Sequence, residues 1–157
     1  MSLSLNWFGR DFGVICIMYK KILLATDGSE NAGRAATTAA DLARELSSQV
    51  VLVTIKNNPP SQSRMAKANF DVHSILEEDA KSDIKNTIAL FEQDDLPYTL
   101  KVAIGDPATE IIEIAGKEKA DLIVIGSRGL GAIKGVFLGS VSQKVIHHAT
   151  CPVMIVK

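Results

Sequence analysis

At 157 residues with 46% apolar side chains, the chain has the length and hydrophobic content of one domain with a buried core. A formal net charge of −1 argues against nucleic acid or an anionic membrane as the main partner, and no apolar run approaches the ~18 residues of a membrane span. Cys16 and Cys151 lack metal-ligand spacing and suggest no disulfide framework, which fits a reducing compartment; the expected setting of the protein is cytoplasmic.

Residues 1–17 stand apart, being richer in aromatics (Trp7, Phe8, Phe12) than the rest. Their apolar run, Val14 to Met18, is short, follows a mixed Arg10-Asp11 pair and precedes no small-x-small cleavage site, so a signal peptide is not expected. They read as an upstream extension or leader, and the domain proper as residues 18–157. From Lys20 onward, strand-like and helix-like segments alternate. Lys21–Thr26 is a buried-strand run. Ser29–Ser47 places Ala32, Ala36, Ala39, Ala43 and Leu46 at helical spacing behind a capping serine. Val50–Ile55 is a second strand. Asn57–Asn69, with its Asn-Asn-Pro-Pro-Ser run, reads as a loop. Asp71 to Gln93 reads as one long helix with Ile75, Ala80, Ile84, Ile88 and Phe91 inward; its many acids read as a solvated face. Tyr98–Ile104 is a third strand, and Asp106-Pro107 starts a helix, since Asp is a favoured cap and Pro suits the first helical position. Leu122–Ile125 is the fourth strand, Ser140–His148 the last helix and Val153–Val156 the fifth strand.

Such alternation predicts a Rossmann-like α/β fold: an open, parallel five-stranded sheet with helices on both faces. In the order 3-2-1-4-5, the ends of strands one and four face one crevice, where ligands of such sheets bind. Strand one ends in Thr26-Asp27-Gly28, and strand four runs into Gly126-Ser-Arg-Gly129 and on to Gly139-Ser140. Glycines leading into a helix start present free N–H groups at the positive end of its dipole, an anion site. No acid follows Asp121, whereas Arg128, Lys134 and Lys144 do. The spacing fits neither a P-loop nor the dinucleotide fingerprint, because the third glycine of the latter would fall on Lys134.

Each residue has two readings. Asp27 can accept from a ribose hydroxyl or cap the following helix. Gly126, Gly129 and Gly139 can cradle phosphate or merely serve turns and close packing. Ser140 and Gln143 form a capping-box pattern, yet the amides of Ser140 and Val141 and the hydroxyls of Ser140 and Ser142 can also turn to an anion. His147 and His148 are adjacent at the last helical turn, suited to the helix dipole and not to a shared metal; His73 is read as a surface residue. No Ser-His-Asp set or paired carboxylates are evident, so neither catalytic nor metal-ligand residues are assigned.

The remaining pattern, Gly-x2-Gly-x9-Gly-Ser at Gly126, Gly129, Gly139 and Ser140, resembles the ATP-binding branch of the universal stress protein family. The resemblance extends to Lys20-Lys-Ile-Leu-Leu-Ala-Thr-Asp27-Gly-Ser29 and to Cys151-Pro-Val-Met-Ile-Val156, covering roughly Met18 to Lys157. It implies ATP as the bound ligand, with Mg²⁺ as a companion ion. It implies that Asp27 contacts the nucleoside, that Ala25 and Thr26 line the adenine side, and that Ile55 contributes from the end of strand two. Many relatives carry His at Thr54, so the base pocket departs in detail. The resemblance also implies a stress-response role and a homodimer joined along the fifth strands, and Val153–Val156 is a short edge strand needing a partner or cover. The expectation is occupancy with at most slow hydrolysis. The rivals are a slow ATPase or adenylyl-transferring enzyme of this architecture, and a ligand-free interaction module. The Ser-Gly-Gly-x-Asp-Ser loop of related ATP pyrophosphatases is absent; Thr26-Asp27-Gly28-Ser29 stands there instead.

Overall fold

A computed structural model describes residues 19–131 and 137–157. The extension at 1–17, Lys134 and the rest of 132–136 lie outside the described residues. The elements run β1 (Lys21–Ala25), α1 (Glu30–Leu46), β2 (Gln49–Lys56), α2 (Gln62–Lys67), α3 (Val72–Asp83), α4 (Lys85–Gln93), β3 (Tyr98–Ile104), α5 (Pro107–Glu118), β4 (Leu122–Gly126), α6 (Ser140–His148) and β5 (Val153–Val156). All strand pairs are parallel, in the order β3-β2-β1-β4-β5.

Side-chain alternation along each central strand divides the core in two. Ile22 and Leu24 of β1, with Val50 and Leu52 of β2, pack against the alanine face of α1 and Phe91 of α4. Leu23 and Ala25, with Val51 and Val53, face Ala108, Ile111 and Ala115 of α5 and Val145 of α6. The alanines of α1 allow that helix to lie close to the sheet, and β4 is buried throughout. This packing fixes where β1 and β4 end, side by side.

Two expectations fail. The stretch expected as an uninterrupted loop, Asn57–Asn69, contains α2: Ser61 Oγ accepts from Arg64 N at 3.4 Å, and the Arg64 guanidinium grips Asp79 of α3 through two bonds of 2.8 Å. The expected single helix from Asp71 to Gln93 is two helices, broken at Ile84 (φ −105°, ψ 23°). No Pro or Gly marks the break. It lies beside the carbonyl of Asp83, against which Gly28 packs so closely that a Cβ would sit 2.5 Å from that oxygen. Lys56 at the end of β2 pairs with the Asp83 carboxylate.

Candidate functional site

At the carboxyl ends of β1, β2 and β4 lies a cleft of about 580 Å³, within the range of small-molecule sites. All ten residues singled out in the sequence line it: Ala25, Thr26, Asp27, Ile55, Gly126, Gly129, Gly139, Ser140, Val141 and Ser142. One side is apolar, built from Ala25, Val53, Ile55, Ile111, Ile125 and Val141, the exposed end of the second core cluster. The other side is the glycine loop and the start of α6. Asp27 and Arg128 are the charged side chains lining it among the described residues.

The Asp27 carboxylate joins the two loops. Oδ1 accepts from Ser29 N at 3.0 Å within its own turn, and Oδ2 accepts from Leu130 N at 2.9 Å across the cleft. An ionised carboxylate offers about four acceptor positions, so both oxygens keep capacity for a further donor. Ser29 caps α1 by accepting from Ala32 N at 3.2 Å. Capping of α1 therefore falls to Ser29. The hydroxyl of Thr26 is buried, with no hydrogen-bond partner among the described residues.

The three glycines differ in what excludes a side chain. At Gly126 a Cβ would lie 2.9 Å from the backbone carbon of Asn31, so this glycine lets α1 approach the end of β4. At Gly129 a Cβ would fall on Asp27 Oδ2, so this glycine leaves room for the bond to Leu130. At Gly139 a Cβ would meet Arg128 Cα and Ser127 O at 3.4 Å, an ordinary contact, and φ is −72°. Here the protein itself does not forbid a side chain.

The expected capping box at Ser140 does not form. Gly139 occupies the N-cap position, with no side-chain cap bond, and the Gln143 amide donates to the Gly139 carbonyl at 3.0 Å. Ser140 is already the first helical residue, one position too late to cap, and its side chain is exposed. By contrast α1, α3 and α5 are capped by Ser29, Asp71 and Asp106. The Ser142 hydroxyl, expected to be able to turn to an anion, is buried and donates to the Gly126 carbonyl at 2.8 Å, fastening α6 to the end of β4. Gly139 N donates to Ser127 O at 2.7 Å and Ser127 N to Val156 O at 2.7 Å, closing the loop at its base.

Sequence reasoning left out Val53, Asn57, Pro107, Ile111 and Ile125, which also line the cleft, as do Arg128, read there as a nearby cation, and Gln143, read there as a capping partner. Period-two alternation from Ile55 points to Val53, and helical spacing pairs Pro107 with Ile111. Near the rim Lys144 approaches Asp106 at 3.4 Å; hydrogen bonds from Thr109, more than that lysine, hold the Asp106 carboxyl below its usual range.

A second depression, about 620 Å³, lies at the opposite ends of the strands, lined by Lys20, Lys21, Ser47, Gln49, Glu118, Lys119 and Asp121 among others. Its charges answer one another: Glu118 pairs with Lys101 at 3.0 Å and Lys21 at 3.5 Å, which lowers its carboxyl's affinity for a proton. The carboxyl termini of α1 and α5 end there, with Ser47 and Lys119 as left-handed caps, so among the described residues no helix presents free amides to an anion there.

The arrangement has recognisable relatives. The chain is 35% identical over 141 residues to the universal stress protein MJ0531 of Methanocaldococcus jannaschii, covering 89% of this chain and 83% of that one. The solved structure of MJ0577 from the same organism superposes with a TM-score of 0.72 at 30% identity, over 89% and 96% of the two chains. A universal stress protein crystallised in complex with cAMP superposes at 0.58 with 28% identity, over 88% and 96%. The sequence model of the universal stress protein family matches residues 18–157, the stretch that carries the sheet, the crevice and the glycine loop: the chain belongs to that family.

Proposed function

We propose that the chain is an ATP-binding regulatory protein of the stress response. The observation that carries this reading is the uncapped start of α6, opening into a cleft whose far wall is apolar. Phosphates suit the first, the base suits the second, and Asp27, which bridges the two loops, is assigned to the ribose. Helix-terminal amides and charge-assisted hydrogen bonds favour an anion at about 1.5–3 kcal/mol per bond. A relative crystallised with cAMP supports an adenine nucleotide.

Asp27 reads the nucleoside, because a carboxylate beside the phosphates would repel them. Mg²⁺, where it accompanies ATP, is held mainly by phosphate oxygens. Chemistry needs a base or water-positioning group near the terminal phosphate, and the cleft's one acid among the described residues is already engaged by two amides. Occupancy is therefore the signal, with hydrolysis at most slow. The protein acts in the cytoplasm as a homodimer joined along β5, which pairs with β4 on one side and forms the sheet edge on the other.

Calorimetric titration tests the reading. ATP and adenosine bind the wild type, and Asp27→Asn, which keeps an oxygen to accept from an amide, weakens both by about 1.5–3 kcal/mol while sparing inorganic tripolyphosphate. Equal loss for tripolyphosphate would remove Asp27 from the ribose.

A further inference from the structure

Four arginines fall within the described residues, and three are committed to protein acceptors. Arg34 binds Glu30, Asn31 and the Lys157 carbonyl; Arg44 binds Asp41 and Asp94; Arg64 grips Asp79 with a two-bond fork. Arg128 has no ion pair or side-chain hydrogen bond among these residues, although it is half-buried and lines the cleft. Its Cα lies against Gly139, the residue from which α6 starts, at 3.4 Å from where a Cβ would be. A guanidinium is a planar fork matched to phosphate oxygens, and it is less strongly hydrated than an ammonium. The cleft's other charge, Asp27, is negative and bound to the amides of Ser29 and Leu130.

Resting on the adenine-nucleotide reading above, we propose that Arg128 is the specificity-determining residue that makes the cleft prefer a polyphosphate to a single phosphate. The start of α6 supplies amides for one phosphate group and has no net charge of its own. A second and third phosphate carry negative charge beyond the reach of those amides, and Arg128 is the cation that lines the cleft among the described residues. Without it a monophosphate keeps its amide partners, whereas a triphosphate loses its counter-charge. Adenosine, which has no phosphate, is indifferent to the change. The proposal assigns the sugar to Asp27, whose carboxylate already accepts from Ser29 and Leu130, and the phosphate chain to Arg128.

The test is calorimetric titration of wild type, Arg128→Ala and Arg128→Lys with ATP, AMP, adenosine and inorganic tripolyphosphate. Matched circular dichroism and thermal midpoints serve as the folding control. Arg128→Ala is expected to weaken ATP and tripolyphosphate by roughly 10–100-fold. It should change AMP by less than about fivefold and leave adenosine unchanged, while Arg128→Lys, which keeps the charge but loses the fork, falls between. The wild-type affinity for tripolyphosphate should decline with added salt more steeply than that of Arg128→Ala. Unchanged ATP and tripolyphosphate affinity in Arg128→Ala would overturn the proposal, as would a loss of adenosine equal to that of ATP. If tripolyphosphate binds in an Arg128-dependent way but adenosine and AMP do not bind at all, the phosphate role of Arg128 stands and the nucleotide reading fails. If none of the four probes binds the wild type, both fall.

Discussion

The loops that follow β1 and β4 leave the sheet side by side, yet they are finished differently. After β1 the chain answers its own backbone: Asp27 accepts from Ser29, and Ser29 caps α1. After β4 the base of the loop is fastened by Ser127, Gly139 and Ser142, but the first turn of α6 has no side-chain cap. A cap contributes about 1 kcal/mol and requires one serine in the right place; here serine stands one position late. The first loop is specified by the protein alone, and the second is completed, on the reading above, by a ligand.

The comparison breaks most readily at the glycines. Gly126→Ala forces a Cβ into the backbone of α1, and overpacking of this kind should cost about 2–3 kcal/mol in denaturant unfolding. Gly139→Ala, with ordinary contact distances, should cost no more than about 1 kcal/mol, the loss of a favoured N-cap residue. Equal costs would dissolve the distinction between packing glycine and loop glycine.

Ser142→Ala tests the fastening of the open loop. It removes the bond to the Gly126 carbonyl in a buried setting and should cost about 1–2 kcal/mol. Ser29→Ala tests the closed loop and should cost about 1 kcal/mol through its lost cap. The mirror substitution, Ser140→Ala, should leave unfolding nearly unchanged, since Ser140 caps nothing; a loss as large as that of Ser29→Ala would show that it does cap α6.

The smallest effect concerns acid. Arg64 holds Asp79, and Thr109 holds Asp106, below the ordinary carboxyl range. Carboxyls shifted down stabilise the fold fully above their unfolded values near ~3.9, and that contribution is lost as pH falls through the lower folded values. Both groups are on the surface, so unfolding midpoints should be flat from pH 7 to about 5 and decline modestly below about 4. Stability rising on acidification would contradict these pairings.

The sheet order and the meeting of the loops after β1 and β4 in one crevice were legible because alternation, strand ends and topology are local or rule-bound. The break at Ile84 was not. Nothing within that helical pattern interrupts it, and the break coincides with a long-range contact from Gly28. Helix α2 was hidden for a similar reason: six residues after Pro59-Pro60 form a helix fastened by Arg64 to Asp79 of α3. The glycine register was visible, but its division of labour was not, because which glycine faces α1, which faces Asp27 and which faces the backbone of Ser127 and Arg128 depends on tertiary approach. Ser140 misled for a smaller reason, a helix start shifted by one residue.

The most direct measurement is an amide chemical-shift map of the isotope-labelled protein during titration with ATP. The account predicts the largest displacements at Ser140, Val141 and Gly129, with a second group at Asp27 and Ile55 and none at Lys20, Ser47 or Lys119. Displacements concentrated at the lysine-lined depression on the amino ends of the strands, with the first turn of α6 unmoved, would contradict it.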